Sequence, residues 1–222
     1  MLIHADYTRR ATVVPGQHRW SASPQGGVER MMLDRFGGEQ ARATSLVRYA
    51  RGAHFPAHQH PGGEEILVLS GTFSADGQHY RAGSYLRNPP GSRHQPSSSD
   101  GALIFVKLWQ MTADEHTALR IDTGDPACWQ HHGDTDVCRL FRNKNEQVSL
   151  QRLAAGATLA LDNAELLVLD GGLLEGTQHY PRHSWLRLPP GNTFLLRAGE
   201  HGATVYLKTG HLAYLANLAA PC

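Results

Sequence analysis

Cysteine is scarce in this chain: three in 222 residues, Cys128, Cys138 and Cys222, with no C-x-x-C pair among them. So few thiols exclude a disulfide framework and suit a reducing compartment. Charge of one sign is also lacking. Lys and Arg number 21 against 20 Asp and Glu, a net charge of +1, and no block of like charges could track a phosphate backbone. Nucleic acid is therefore not an expected partner. No run nears the ~18 apolar residues of a membrane span, and the opening MLIHADYTRR lacks the apolar core of a signal peptide. A soluble, cytoplasmic protein with no membrane contact is expected. Helix-period stretches are hard to find as well; TADEHTALRI (112 to 121) is the one place where a turn or two of helix after a Thr cap is predicted.

What the chain does contain is itself, twice. QHYRAGSYLRNPPG (78 to 91) and QHYPRHSWLRLPPG (178 to 191) share nine of fourteen positions at an offset of 100, where ordinary residue usage gives roughly one match. EILVLSG from Glu65 pairs with ELLVLDG from Glu165 at the same offset, and SLVRYARGA from Ser45 pairs with SLQRLAAGA from Ser149 at an offset of 104. GALIFVKL from Gly101 matches GATVYLKT from Gly202, and Trp20 and Val28 are mirrored by Trp129 and Val137. Two homologous lobes are predicted, residues 1–112 and 113–222, the second about four residues shorter between its central strands.

Inside each lobe the pattern is β. Runs rich in Val, Leu, Ile, Tyr and Phe, such as TSLVRYA, EILVLSGTFSA and GALIFVKLWQM, are punctuated by Gly, Pro, Asn and Asp every eight to twelve residues. An all-β sandwich or barrel follows. Within it, HFPAHQHPGGEEILVLSG (54 to 71) concentrates chemistry. On a strand, residues two apart face the same way, so His58 and His60 project together. The PGG turn then brings Glu64 back beside them, and RNPPGSRH delivers His94 after a second proline-glycine corner. Three imidazoles and one carboxylate make a borderline donor set suited to one divalent transition metal, Zn, Fe, Ni or Mn, with open positions for substrate or dioxygen if the metal prefers six ligands.

The spacing carries a resemblance. Gly52, five residues, His58-x-His60, three residues, Glu64, six residues and Gly71 resemble the first motif of the cupin family at every fixed position. Gly83, Pro89, Gly91 and His94 match the second cupin motif, whose trailing Asn is here Ser98. RYARGAHFPAHQHPGGEEILVLSGTFSADGQHYRAGSYLRNPPGSRHQPSS looks in particular like the ChrR-type cupins, the C-terminal domain of anti-sigma factors that restrain extracytoplasmic-function sigma factors. The close match covers about residues 20 to 112. The resemblance implies a duplicated double-stranded β-helix, a bicupin, with His58, His60, Glu64 and His94 as metal ligands. It also implies a sigma factor as partner. Yet the helical zinc domain of ChrR-type factors, with its H-x-x-x-C-x-x-C motif, has no counterpart, since no Cys precedes residue 128.

The second lobe acts as an internal control. At offset 104 His58 falls on Asp162, at offset 100 Glu64 falls on Ala164 and His94 on Phe194, while His60 falls on Ala164 or in the gap. The scaffold words PPG, LVL and QHY persist while the donors go together, so a C-terminal lobe without metal ligands is expected, with Phe194 filling the space. Residues kept in both lobes read as structural: Glu65 and Glu165, Arg87 and Arg187 in ion pairs or capping carbonyls, His79, His179, Tyr80 and Tyr180 in turn or interface hydrogen bonds. His131 and His132 read as exposed loop, His54 as a minor candidate for the pocket, and Cys128 with Cys138 as ordinary strand or core residues.

Two functions fit. One is a regulatory or sensory metal-binding cupin related to the cupin half of anti-sigma factors. The alternative is a mononuclear metal-dependent dioxygenase or related enzyme acting on a small chelating substrate such as a diketone. No separate catalytic base is evident. A cavity over the metal lined by Phe55, Tyr85 and Phe105 would favour the enzyme, and sheet-against-sheet packing within or between chains makes a homodimer the expected assembly.

Overall fold

The structure is a computed structural model that describes residues 1–38 and 40–217, so Cys222 lies outside the described residues. The described residues form two compact units, one from residues 1–5 and 19–124, the other from residues 6–18 and 125–217. Both are built from antiparallel strands in a duplicated jelly-roll arrangement.

In the first unit the main sheet runs Leu2–Ile3, Val28–Gly37, Ala41–Tyr49, Ala102–Leu108, Glu64–Ala75, Ser84–Asn88 and Leu119–Asp122. Its central strands read as continuous apolar runs because both faces are buried. One face carries Val47, Tyr49, Ile66, Val68, Leu86, Ile104 and Val106, which pack together with Phe73. The other carries Leu46, Leu67, Tyr85 and Phe105, all within 2 % of complete burial. Two short strands, His58–His60 and Ser92–His94, pair only with each other and form a separate ribbon.

Residues 112 to 121 do not form the predicted helix. A single turn, with the Glu115 amide donating to the Thr112 carbonyl at 3.1 Å, leads into the strand Leu119–Asp122, which pairs with Ser84–Asn88. Leu119 and Ile121 alternate with polar neighbours, and the open strand beside them offered more hydrogen bonds than an isolated turn of helix could. The described helix His211–Leu215 lies elsewhere, and no helix among the described residues is long and apolar enough to cross a membrane.

The second unit repeats the order with Trp129–His132, Thr135–Arg142, Gln147–Leu153, Phe194–Thr209, Ala164–Glu175, Trp185–Leu188 and Ala11–Val13. Ala11–Val13 occupies beside Trp185–Leu188 the place that Leu119–Asp122 takes beside Ser84–Asn88. A strand from the first part of the chain thus completes the unit built from its second half.

The repeated glycines have a steric cause. Gly71 has φ +70°, and a Cβ placed there would lie 2.0 Å from the Gly101 carbonyl oxygen; at Gly171, φ +64°, the same atom would lie 2.2 Å from that of Gly202. Only glycine fits either place.

Candidate metal centre

The donors are set by strand pairing. His94 stands opposite His58 and Ser92 opposite His60, so all three histidines share one face of the ribbon. The PPG corner is tied to the same ribbon: the Gly91 amide donates to the His60 carbonyl at 2.9 Å, and so does that of Gly63 at 3.0 Å. The carbonyl that closes both turns thus belongs to one of the histidines. Glu64 opens the next strand opposite Asn88.

The side chains converge. The Nε2 atoms of His60 and His94 are 2.9 Å apart, and each lies 3.4 Å from Oε2 of Glu64. One ring nitrogen from each of His58, His60 and His94 falls within 4.8 Å of the others. Donors held at ~2.1 Å from one cation are about 3.0 Å apart in octahedral and about 3.4 Å apart in tetrahedral arrangement, so the His60, His94 and Glu64 separations suit a shared ion. Among the described residues this is the one group of three or more donors so placed.

The electrostatics point the same way. Burial, with the neighbouring His94 and His58, holds His60 down to about 3, and burial with His58 holds His94 down to about 4. Both rings are neutral at physiological pH, with lone pairs available. Burial pushes the Glu64 carboxyl up to about 7, against the lowering effect of the Asn88 hydrogen bond and of Arg120 and Arg30. A buried carboxylate beside the neutral rings of His60 and His94 is a place where a cation restores the balance that water no longer supplies.

Further contacts orient the donors. The Pro56 carbonyl accepts from Nδ1 of His58 at 2.8 Å, leaving Nε2 as that ring's free donor atom. Asn88 Nδ2 donates to Oε2 of Glu64 at 3.0 Å, while its own Oδ1 accepts from Arg120 at 2.6 Å. The carboxylate is thus held by an Arg120 to Asn88 to Glu64 chain. Sequence reasoning missed Asn88 and Arg120, although a signal existed: Asn88 is replaced by Leu188 in the repeat, in step with the loss of the donors.

A cavity of about 70 Å³ reaches these donors. Its walls are Met32, Val47, Phe55, Phe73, Ile104, Val106 and Leu108, with Tyr49, Ser45, Arg30 and Arg35 as polar members. Of the three aromatic residues expected there, Phe55 is present. Tyr85 and Phe105 are not, because on their strands the even-numbered Leu86, Ile104 and Val106 face the cavity side and the odd-numbered residues face away. His54 is exposed and outside the lining.

Residues kept in both repeats have structural partners. Arg87, fully buried, donates to Glu65 at 2.9 Å and to both oxygens of Glu115. Arg187 donates to the Asp6 carbonyl at 2.9 Å, and Glu165 accepts from the Trp185 indole at 2.8 Å. His79 shares a 2.8 Å hydrogen bond with Ser74, Tyr80 accepts from Arg120 and Tyr180 donates to Glu175. His131 and His132 are exposed, and Cys128 and Cys138 are not joined in a disulfide.

The positions matching His58, Glu64 and His94 in the second unit are apolar. Leu161 stands opposite Phe194 as His58 stands opposite His94, so strand pairing makes Leu161, and not Asp162, the counterpart of His58. Asp162 accepts from the Gly191 amide at 3.0 Å and serves the turn. Ala164, Leu161 and Leu188 lie in one buried cluster with Phe194 packed against it.

Residues 8–112 match the family model of the ChrR cupin-like domain. This part of the chain is a ChrR-type cupin. No curated protein sequence matches the chain. Among solved structures, a protein of Nostoc punctiforme named as a candidate dioxygenase superposes with a TM-score of 0.72 at 14% identity, covering 97% of this chain and 87% of its own. A bacterial pirin from Escherichia coli in complex with nickel(II) gives a TM-score of 0.67 at 11% identity, covering 91% and 99%. At these identities the likeness shows the fold, and the fold of the whole chain is the duplicated cupin.

Proposed function

We propose that the first unit holds one divalent transition metal on His58, His60, His94 and Glu64, and that a small chelating molecule binds it from the adjoining cavity for metal-assisted chemistry of the dioxygenase type. The observation that carries this is the cavity that ends on the donor set, about 70 Å³ and walled mainly by apolar side chains. A purely structural ion needs no such space. The bound metal would polarise the chelated substrate or present it to dioxygen. His58, His60, His94 and Glu64 hold it, Asn88 and Arg120 keep the carboxylate aimed, and the apolar wall excludes bulk water.

The family match favours a second role, a sensory cupin in which occupancy of the same site alters a surface read by a partner such as a sigma factor. The division into a metal-binding lobe, 1–112, and a ligand-free lobe, 113–222, assembly as a homodimer and a cytoplasmic location belong to the same proposal. Elemental analysis of protein grown with Zn, Fe, Ni and Mn is expected to give one metal per chain. His58→Ala, His60→Ala and His94→Ala should lower that ratio sharply and Asp162→Ala should leave it intact; an unchanged ratio in all three histidine variants refutes the site. Oxygen uptake with a panel of diketones, thiols and enols then separates enzyme from sensor.

A further inference from the structure

The cavity has a charge that its apolar walls do not announce. Arg30 and Arg35 both line it, and Glu64 is the one carboxylate among its described lining residues. Strand alternation alone would not place both arginines there, since residues 30 and 35 have opposite parity. A register shift between Met32 and Asp34 turns the strand, so that Arg30, Met32 and Arg35 all reach the same side. The Arg30 guanidinium sits 5.6 Å over the Phe55 ring, and Phe55 in turn lies edge-on to His58 with centroids 5.1 Å apart. The cation is thus stacked in a fixed position one ring away from the donor set. Arg35 is braced by donation to the Gly38 carbonyl.

With a divalent ion bound, the two guanidinium groups and the ion set four positive charges against the single negative charge of Glu64. In a poorly hydrated space such an excess favours an anion strongly. A guanidinium also recognises a carboxylate by geometry, through paired N–H donors. Size narrows the class further. A cavity of about 70 Å³ has room for about five water-sized groups at ~10–15 Å³ each, enough for a two- to four-carbon acid and too little for an aryl ketone.

Resting on the metal site proposed above, we infer that the ligand of this cavity is a small oxygen-chelating anion, a dicarboxylate or 2-oxo acid, whose donor oxygens meet the metal while a carboxylate is held by Arg30 with Arg35 behind it. A neutral diketone would leave the Arg30 guanidinium facing the metal charge with no anion between them in the cavity. Arg30 and Arg35 therefore set specificity for charge, a role separate from holding the metal.

The test uses the full chain loaded with nickel, oxalate as the anionic probe and imidazole as a neutral ligand of the same metal. Calorimetric titration should give oxalate binding to the wild type, at least ten-fold weaker binding to Arg30→Gln, a smaller loss in Arg30→Lys, and imidazole binding unchanged in all three. Arg35→Gln provides a second variant should Arg30→Gln fold poorly, and should weaken oxalate about three-fold or more. Nickel per chain, measured on the same samples, should match the wild type throughout. Loaded wild type that ignores oxalate, or oxalate affinity within two-fold of wild type in both glutamine variants, overturns the anion inference alone. An equal loss of oxalate and imidazole does the same, since it marks a damaged metal site. Wild type that takes up no nickel overturns the metal site and this inference with it.

Discussion

Replacing Glu64 by glutamine separates what the donor set costs the fold from what it gives the metal. Burial raises the Glu64 carboxyl from 4.5 to about 7 in metal-free protein. Between these values the folded chain holds a proton that the unfolded chain has released, so stability falls as pH rises through the interval, and the loss is complete above pH 7. At 1.36 kcal/mol per pH unit the ionised carboxylate costs the metal-free fold about 3 kcal/mol at pH 8. Glutamine keeps the shape and the acceptor that Asn88 needs, while removing the charge. His60 and His94 are common to both proteins, so their own titration cancels to first order. Urea denaturation with a chelator present should therefore find Glu64→Gln more stable than wild type by up to about 3 kcal/mol at pH 8 and nearly equal to it at pH 4. With metal added the order should reverse, because wild type gains more binding free energy. Metal-free variants equal in stability at pH 8 would show that the carboxylate is already compensated, and a metal-loaded Glu64→Gln as stable as loaded wild type would remove Glu64 from the ligand set.

Asn88→Leu copies the residue found in the second repeat and leaves all four donors in place; metal affinity is expected to fall about 10- to 100-fold in a competition titration, and unchanged affinity would show that Asn88 plays no part in aiming Glu64. Arg87→Met removes the buried cation that Glu65 and Glu115 share, so urea denaturation should register a loss of about 3–5 kcal/mol, with metal per chain unaltered.

The sequence made the four donors legible because each lies on a short turn-and-strand word whose period is two. His58-x-His60, the return to Glu64 and the corner before His94 needed no long-range information beyond two hairpins. The continuous run ILVL likewise announced strands buried on both faces. Other features depended on pairings that spacing does not encode. Arg30 and Arg35 share a wall through a register shift between Met32 and Asp34, and nothing in VERMMLDRF marks where the shift falls. Tyr85 and Phe105 were expected in the cavity on hydrophobicity, but their parity sends them to the opposite face. TADEHTALRI had a plausible cap and a helical spacing, yet an unfilled sheet edge beside Ser84–Asn88 decided its conformation. Counting offsets placed Asp162 at the position of His58, whereas the ladder places Leu161 there, because the four-residue deletion lies between the two anchors and its site cannot be fixed by counting.

The pattern of loss in the second unit follows from the same energetics. A buried carboxylate is tolerable when a cation sits beside it and costly when that cation is gone. Once any histidine had been lost and the metal weakened, Glu64's counterpart would have become a liability of about 3 kcal/mol. An Asn aimed at a missing carboxylate would have been a further unsatisfied group. Intermediate states of the site are thus less stable than either end, and replacement tends to run to completion. The second unit has the composition this requires: Ala164 for Glu64, Leu188 for Asn88, Leu161 for His58 and Phe194 for His94, in or packed against one apolar cluster. Groups that are compensated from within the protein escaped the same pressure. Glu165 keeps the Trp185 indole at 2.8 Å, and Lys208 keeps Glu146 at 3.0 Å, so neither depends on an ion to remain buried. What survives in both repeats is therefore what the fold itself pairs, and what survives in one is what a bound cation is proposed to hold.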